Sequence, residues 1–202
     1  MKFAKWICAP LDTGSAAVVF KKSFAAENVS RAIIKVSGLG TYEARINGEK
    51  IGRQVLTPGW TSYEHRVQYQ TVDITEQIKE NNTIAVGVGP GWAVGAANYH
   101  HETKLYADRV CAVAELELTY HDGRVEYIYT DESWDACSSE VTFSDIYDGE
   151  TVDKTAEEIS YGKAVLSPKS FNLVEQVGAD IVENDVISPV TLIITPKGER
   201  VI

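Results

Sequence analysis

"VCAVAELELTYHDGRVEYIYT", Val110 to Thr130, decides the fold. Two runs of alternating character flank His121-Asp122-Gly123, and alternation is what a half-buried strand requires, because successive side chains point to opposite faces. Asp and Gly supply the positive φ angles that a tight reversal demands, so the stretch reads as a β-hairpin.

The same patterning extends outward in both directions. "AIIKVSG" (Ala32 to Gly38), "TYEARING" (Thr41 to Gly48) and "TIAVGVG" (Thr83 to Gly89) are short β-rich runs, and Asn47-Gly48 offers a second hairpin turn. Helix signals are confined to "DITEQIKENN" (Asp73 to Asn82), with Asp73 or Thr75 as an N-cap and Asn81-Asn82 as a stop, enough for one or two turns. Many short strands with frequent turns and almost no helix predict an all-β fold, an antiparallel β-sandwich. "TPGWTSYEHRVQYQTVDIT" (Thr57 to Thr75) is expected to end one hairpin and cross between sheets, with Trp60 and Tyr69 as packing anchors. The chemistry shifts near Ser167-Pro168. Residues 1–166 therefore read as the sandwich, and residues 167–202 as a linker and the first strand of a following β domain.

Composition excludes several classes of function. A chain of 202 residues with 44% hydrophobic and 24% charged residues can bury a real core. A formal net charge of -10, with no run of Lys and Arg, opposes attraction to nucleic acid or anionic lipid. No stretch approaches the roughly 20 apolar residues that span a bilayer, so no membrane partner is expected. In "MKFAKWICAP" the apolar run is broken by Lys5 and stops at Pro10, too short for an export signal, which predicts a cytoplasmic protein. Cys8, Cys111 and Cys137, odd in number and widely spaced, are expected to be free thiols in a reducing compartment rather than a disulfide framework or zinc site.

Aromatic and polar residues supply the candidates for binding. Trp and Tyr stack on apolar sugar faces while nearby polar groups take the hydroxyls, so Trp60, Tyr63, Trp92, Tyr99 and Tyr106 are weighed against simple packing. Pro58-Gly59-Trp60 and Pro90-Gly91-Trp92 suggest two similar turns, each delivering a Trp onto the sandwich. "GWAVGAANYHHETKLY" adds Asn98, Tyr99, His100, His101 and Glu102 in one loop suited to polar recognition. The sugar-binding set is Trp60, Tyr63, Trp92, Asn98, Tyr99 and His100. Asp145, Asp148 and Glu150 in "SDIYDGE" have the residue types of a glycosidase carboxylate pair, but acids around Gly also make turns. They are assigned structural or interdomain roles, and no catalytic residue is expected. Four histidines without a ligand pattern predict neither metal nor cofactor.

"KWICAP" (Lys5 to Pro10), "YEARINGEKIG" (Tyr42 to Gly52), "LTPGWTSYEHRVQYQTVDIT" (Leu56 to Thr75), "GVGPGWAVG" (Gly87 to Gly95), "LELTYHDG" (Leu116 to Gly123), "TDESW" (Thr130 to Trp134) and "SDIYDGETVD" (Ser144 to Asp153), in that order, resemble the N-terminal β-sandwich module of bacterial α-L-rhamnosidases of glycoside hydrolase family seventy-eight. The resemblance implies a jelly-roll, galactose-binding-domain-like sandwich. It also implies a parent enzyme that hydrolyses terminal α-L-rhamnose with inversion on an (α/α)6 barrel lying C-terminal to the β domains. Nothing in this chain builds that barrel, so the expectation is a fragment cut before the catalytic region: a non-catalytic accessory module whose partners are downstream domains of the same polypeptide. An independent carbohydrate-binding module for rhamnose-containing glycans is the alternative. Some relatives hold sugar through calcium at an acidic and amide pair before the "INGE"-like hairpin. Here "SGLGTY" (Ser37 to Tyr42) lacks both groups.

Overall fold

The structure, a computed structural model, describes residues 1–201, and Ile202, the last residue of the expected linker-and-strand segment, lies outside the described residues. In chain order the elements are β1 (Ile7–Cys8), β2 (Val18–Ala25), β3 (Val29–Leu39), β4 (Thr41–Ile46), β5 (Glu49–Lys50), β6 (Val67–Asp73), a 3₁₀ turn (Thr75–Gln77), β7 (Asn81–Gly89), and helix α1 (Gly91–Val94). They continue as β8 (Cys111–Tyr120), β9 (Val125–Tyr129), β10 (Asp135–Ser138), β11 (Val141–Asp145), β12 (Gly149–Val152), β13 (Ser160–Lys163), β14 (Val165–Leu166), β15 (Leu173–Glu175), β16 (Ile193–Ile194) and β17 (Arg200–Val201).

Two sheets face each other. One runs β14-β1-β8-β3-β6-β15 with β9 also on β8, and the other runs β13-β10-β2-β7-β4-β5. From β1 to β10 the chain alternates between the sheets, with the hairpins β4–β5 and β8–β9 each staying in one, the wiring of an antiparallel jelly-roll sandwich. Alternation in the sequence becomes alternation in burial: Ala32, Ile34 and Val36 of β3, Ile84, Val86 and Val88 of β7, and Phe20 of β2 point inward and join one core. Trp134 is fully enclosed within it, and its indole N–H donates to the Tyr129 carbonyl at 2.7 Å.

Both hairpins form where the turn residues place them. In β8–β9, Thr119 faces Val125, Tyr120 N–H donates to Arg124 O, and Gly123 adopts φ 86°. That is a three-residue reversal closed by a left-handed glycine. In β4–β5, Asn47 and Gly48 both have positive φ, 54° and 84°, as a two-residue type I′ turn requires. The segment from 57 to 66 does cross between the sheets, from β5 in one to β6 in the other. The expected helix is a single 3₁₀ turn, because Asp73 Oδ1 draws in the Thr75 N–H and hydroxyl (3.0 and 2.6 Å) and Ile78 is already extended.

The cysteine expectation needs correction. Cys8 and Cys111 are directly opposed on the antiparallel strands β1 and β8, Cα atoms 4.4 Å apart, and form a disulfide; Cys137 alone is free, and buried. Spacing along the chain carried no hint of this, because the pairing joins residues 103 positions apart.

The outer face of β8 is also covered. Glu115, only 5% exposed, accepts hydrogen bonds from the backbone N–H groups of Lys2 (2.7 and 2.9 Å), Phe3 (2.6 Å) and Ala4 (3.2 Å). Phe3 then packs on Tyr127 and Tyr129 of β9. The carboxylate charge is compensated by three convergent amide dipoles, which makes its burial tolerable.

After Lys163 the chain stays on the sandwich for a time. β14 pairs with β1, Phe171 packs edge-on against Trp6, and β15 adds to β6 in parallel. An isolated bridge joins Val182 to Gln54. The small β16–β17 hairpin, with Ile193 opposite Val201, lies beyond these contacts.

Candidate aromatic and acidic site

Trp60 and Trp92 reach one another from different backbone settings. Trp60 follows the cis Thr57–Pro58 bond and Gly59 at φ 87°, in a turn closed by Gly59 N–H to Leu56 O. Trp92 instead lies in α1, whose Pro90 is already helical, so the two Pro-Gly-Trp sequences do not make similar turns. Proline fixes φ within the Leu56–Gly59 turn and at the start of α1, but α1 is continued by Val94 and Gly95 bonding back to Pro90 and Gly91. Gly91 has φ 48° and sits so close to β4 that a Cβ there would lie 2.4 Å from Thr41 N. Only glycine allows α1 to approach the sheet this closely.

The outcome is a parallel aromatic pair: the Trp60 and Trp92 rings are 6.3 Å apart at 7°. Trp92 is half-buried, while Trp60 is 52% exposed, so Trp60 is not the enclosed anchor expected. Tyr63 is the anchor of this loop. It is 2% exposed, lies 5.1 Å from the Tyr106 ring and has no face free for a ligand. Burial pushes its phenol well above the usual tyrosine range, with Tyr106 adding to the effect. Tyr69 lies partly buried in β6 beneath the Lys35 ammonium.

The loop that follows α1 folds back on it through Ala107 N–H to Ala93 O and Lys104 N–H to Val94 O. Asn98 organises its tip: Oδ1 accepts from His100 and Glu102 N–H, and Nδ2 donates to Glu102 Oε2 at 2.7 Å. Tyr99 stands free at 94% exposed, with His100 edge-on beside it. His100 and His101 lie in a turn rather than on a strand, His101 having φ 54°.

Asp145 ties this loop to the β11–β12 hairpin. Oδ2 accepts from Ala96 N–H at 2.8 Å, and Oδ1 accepts from Tyr147 (2.8 Å) and Asp148 (3.3 Å). Burial alone would raise its pKa, but these three amides and nearby His101 outweigh burial and hold the carboxyl below the usual range. Asp148 approaches His101 Nδ1 at 4.0 Å, and Glu150 is exposed on β12 opposite Ser144. With both Asp145 oxygens committed to backbone donors, the three acids make a turn and a loop tie.

The site therefore presents an exposed Trp60, a fixed polar loop and an Asp145 carboxylate occupied by backbone. A concavity of about 420 Å³ lies elsewhere among Lys2, Phe3, Lys5, Tyr129 and Asp131, and none of the aromatic or acidic candidates lines it. Among the described residues no His, Cys, Asp and Glu grouping could hold a metal ion, and no helix is long and apolar enough to cross a membrane. Sequence reasoning passed over Gln54, Gln70 and Glu115. A lone Gln or Glu on a strand or in a loop gives no signal of what it meets in the fold.

The chain matches the family model described as the alpha-L-rhamnosidase N-terminal domain over residues 27–192. An alpha-L-rhamnosidase of Streptomyces avermitilis is 35% identical over 158 residues, 78% of this chain and 15% of that protein's length. The crystal structure of native alpha-L-rhamnosidase from Aspergillus terreus aligns with a TM-score of 0.87 at 26% identity, covering 98% of this chain and 25% of that one. The Streptomyces avermitilis alpha-L-rhamnosidase complexed with L-rhamnose aligns with a TM-score of 0.67 at 34% identity, covering 84% and 17%. The chain thus spans about a seventh to a quarter of the length of the relatives it matches.

Proposed function

This chain belongs to the alpha-L-rhamnosidase N-terminal domain family, and we propose that it is a non-catalytic accessory module supporting the catalytic region of such an enzyme. The observation that carries this reading is the relation of lengths: the sandwich is accounted for within a chain that spans 15% of its Streptomyces relative. The bulk of an α-L-rhamnosidase lies outside what these residues build. Commitment of Asp145 to three backbone amides supports it further, because a carboxyl so engaged does not serve as the acid or base that glycoside hydrolysis needs. Its partners are then the downstream domains of the same polypeptide, and the almost fully exposed Val186, Ile187 and Val190 are suited to covering by them. The test is hydrolysis of 4-nitrophenyl α-L-rhamnopyranoside by the 202-residue chain. No turnover above buffer is expected, whereas turnover abolished by Asp148→Asn or Glu150→Gln would overturn the reading.

A second reading rests on the exposure of Trp60, whose indole is of the kind on which a pyranose ring stacks. In it the chain binds rhamnose-containing glycans on its own. Calorimetric titration with L-rhamnose, with and without calcium, decides it: saturable heat lost in Trp60→Ala supports binding, and no heat at millimolar sugar removes it.

A further inference from the structure

We infer that Gln54, Gln70, Gln176 and Asp180 form a polar clamp that docks residues 171–182 as a strap along β6 and so fixes the direction in which the chain leaves the sandwich. This goes beyond the accessory role, since it names the joint through which any following partner would be oriented.

The strap has defined limits. It begins where Phe171 packs on Trp6 and Val67 N–H donates to Asn172 O at 2.8 Å, and it ends at the bridge between Gln54 and Val182. From Glu183 onward the described residues make no hydrogen bond to the sandwich, and the apolar Val186, Ile187 and Val190 stand in solvent.

Backbone pairing alone holds this segment weakly. β15 is three residues long and lies parallel to β6, whereas the other named strand pairings are antiparallel. Side chains supply the rest. Gln70, 4% exposed, donates Nε2–H to Gln176 Oε1 at 2.6 Å, and the Tyr42 hydroxyl lies 2.5 Å from its Oε1. Gln176 Nε2 then donates to Asp180 Oδ1, and Gln54 Nε2 to Asp180 Oδ2, both at 3.0 Å. Two backbone contacts close the circuit: Gln176 N–H to Tyr69 O at 3.0 Å and Val55 N–H to Ile181 O at 2.9 Å. A buried amide left without its partner incurs the full desolvation penalty, so Gln70 selects one register of the strap over others. Because both Asp180 oxygens are used, one on the strap's own Gln176 and one on the sandwich's Gln54, the exit point cannot slide without breaking a pair.

The experiment is hydrogen exchange by mass spectrometry on the 202-residue chain, comparing wild type with Gln176→Ala, Asp180→Ala and Asp180→Asn. Exchange at residues 173–182 is expected to quicken at least tenfold in the two alanine variants, with Asp180→Asn intermediate and the β2 and β7 amides unchanged. Spin labels at Glu64→Cys and Glu183→Cys are expected to show a narrow distance distribution that broadens in Asp180→Ala. Unchanged strap protection in the alanine variants would overturn the clamp, leaving backbone pairing, Phe171 and the Thr71–Glu175 and Val177–Gln68 hydrogen bonds as the hold. Equal loss of protection in β2 and β7 would overturn it as well, because the side chains would then be part of the general core.

Discussion

Trp60, from the loop before β6, and Trp92, from α1, are 32 positions apart and lie parallel with ring centroids 6.3 Å apart and 7° between their planes. Each buttresses the other, but only Trp92 packs on the core as well. Trp60→Ala is therefore expected to cost about 1–2 kcal/mol, the pair term with partial burial, and Trp92→Ala roughly 3 kcal/mol. Urea unfolding checks both values. The exciton couplet that stacked indoles give in far-ultraviolet circular dichroism is expected to vanish in either variant.

Gly91 sets the approach of α1 to β4. Adding a methyl group at φ 48°, 2.4 Å from Thr41 N, forces the helix away from the sheet. Gly91→Ala is expected to destabilise the fold by about 2–4 kcal/mol and to expose Trp92, read as a red shift in its fluorescence.

The disulfide closes a loop of about a hundred residues between β1 and β8. In the chain-entropy account such a cross-link contributes roughly 3–5 kcal/mol. The double variant Cys8→Ser, Cys111→Ser is expected to lose that amount in urea, and dithiothreitol should lower wild-type stability without affecting the variant. Cys137, whose thiol is pushed up by burial, is expected to react with iodoacetamide only on unfolding.

Glu115 anchors the first residues. Glu115→Ala leaves the amides of Lys2, Phe3 and Ala4 without their acceptor, at an expected cost of about 2–4 kcal/mol. Amide exchange at residues 2–4 is expected to rise with it.

Asp145 gives stability a dependence on acid. Its carboxyl is depressed in the folded state, so its contribution is fully present above the unfolded carboxylate pKa of about 3.9 and is lost as pH falls through the lower folded value. Asp145→Asn is expected to flatten the fall in stability below about pH 4, measured by urea midpoints across pH. A variant that keeps the wild-type slope would remove Asp145 as its source.

The strands and both hairpins were readable in sequence because their determinants are local. Alternation sets which face is buried within a few residues, and Asn47, Gly48 and Gly123 carry the positive φ angles their turns need, whereas Asp122, expected to share that role, does not adopt one. The ordered blocks likewise pointed to the α-L-rhamnosidase N-terminal domain family, which the match over residues 27–192 bears out. The tertiary structure alone decided the Cys8–Cys111 pairing, the meeting of Trp60 with Trp92, the cradle of Glu115 and the docking of the strap around Gln70. Each joins residues whose proximity depends on which strands neighbour one another. Strand order arises from burying both sheets against one core, and a period-two pattern, which fixes a face, says nothing about the neighbour.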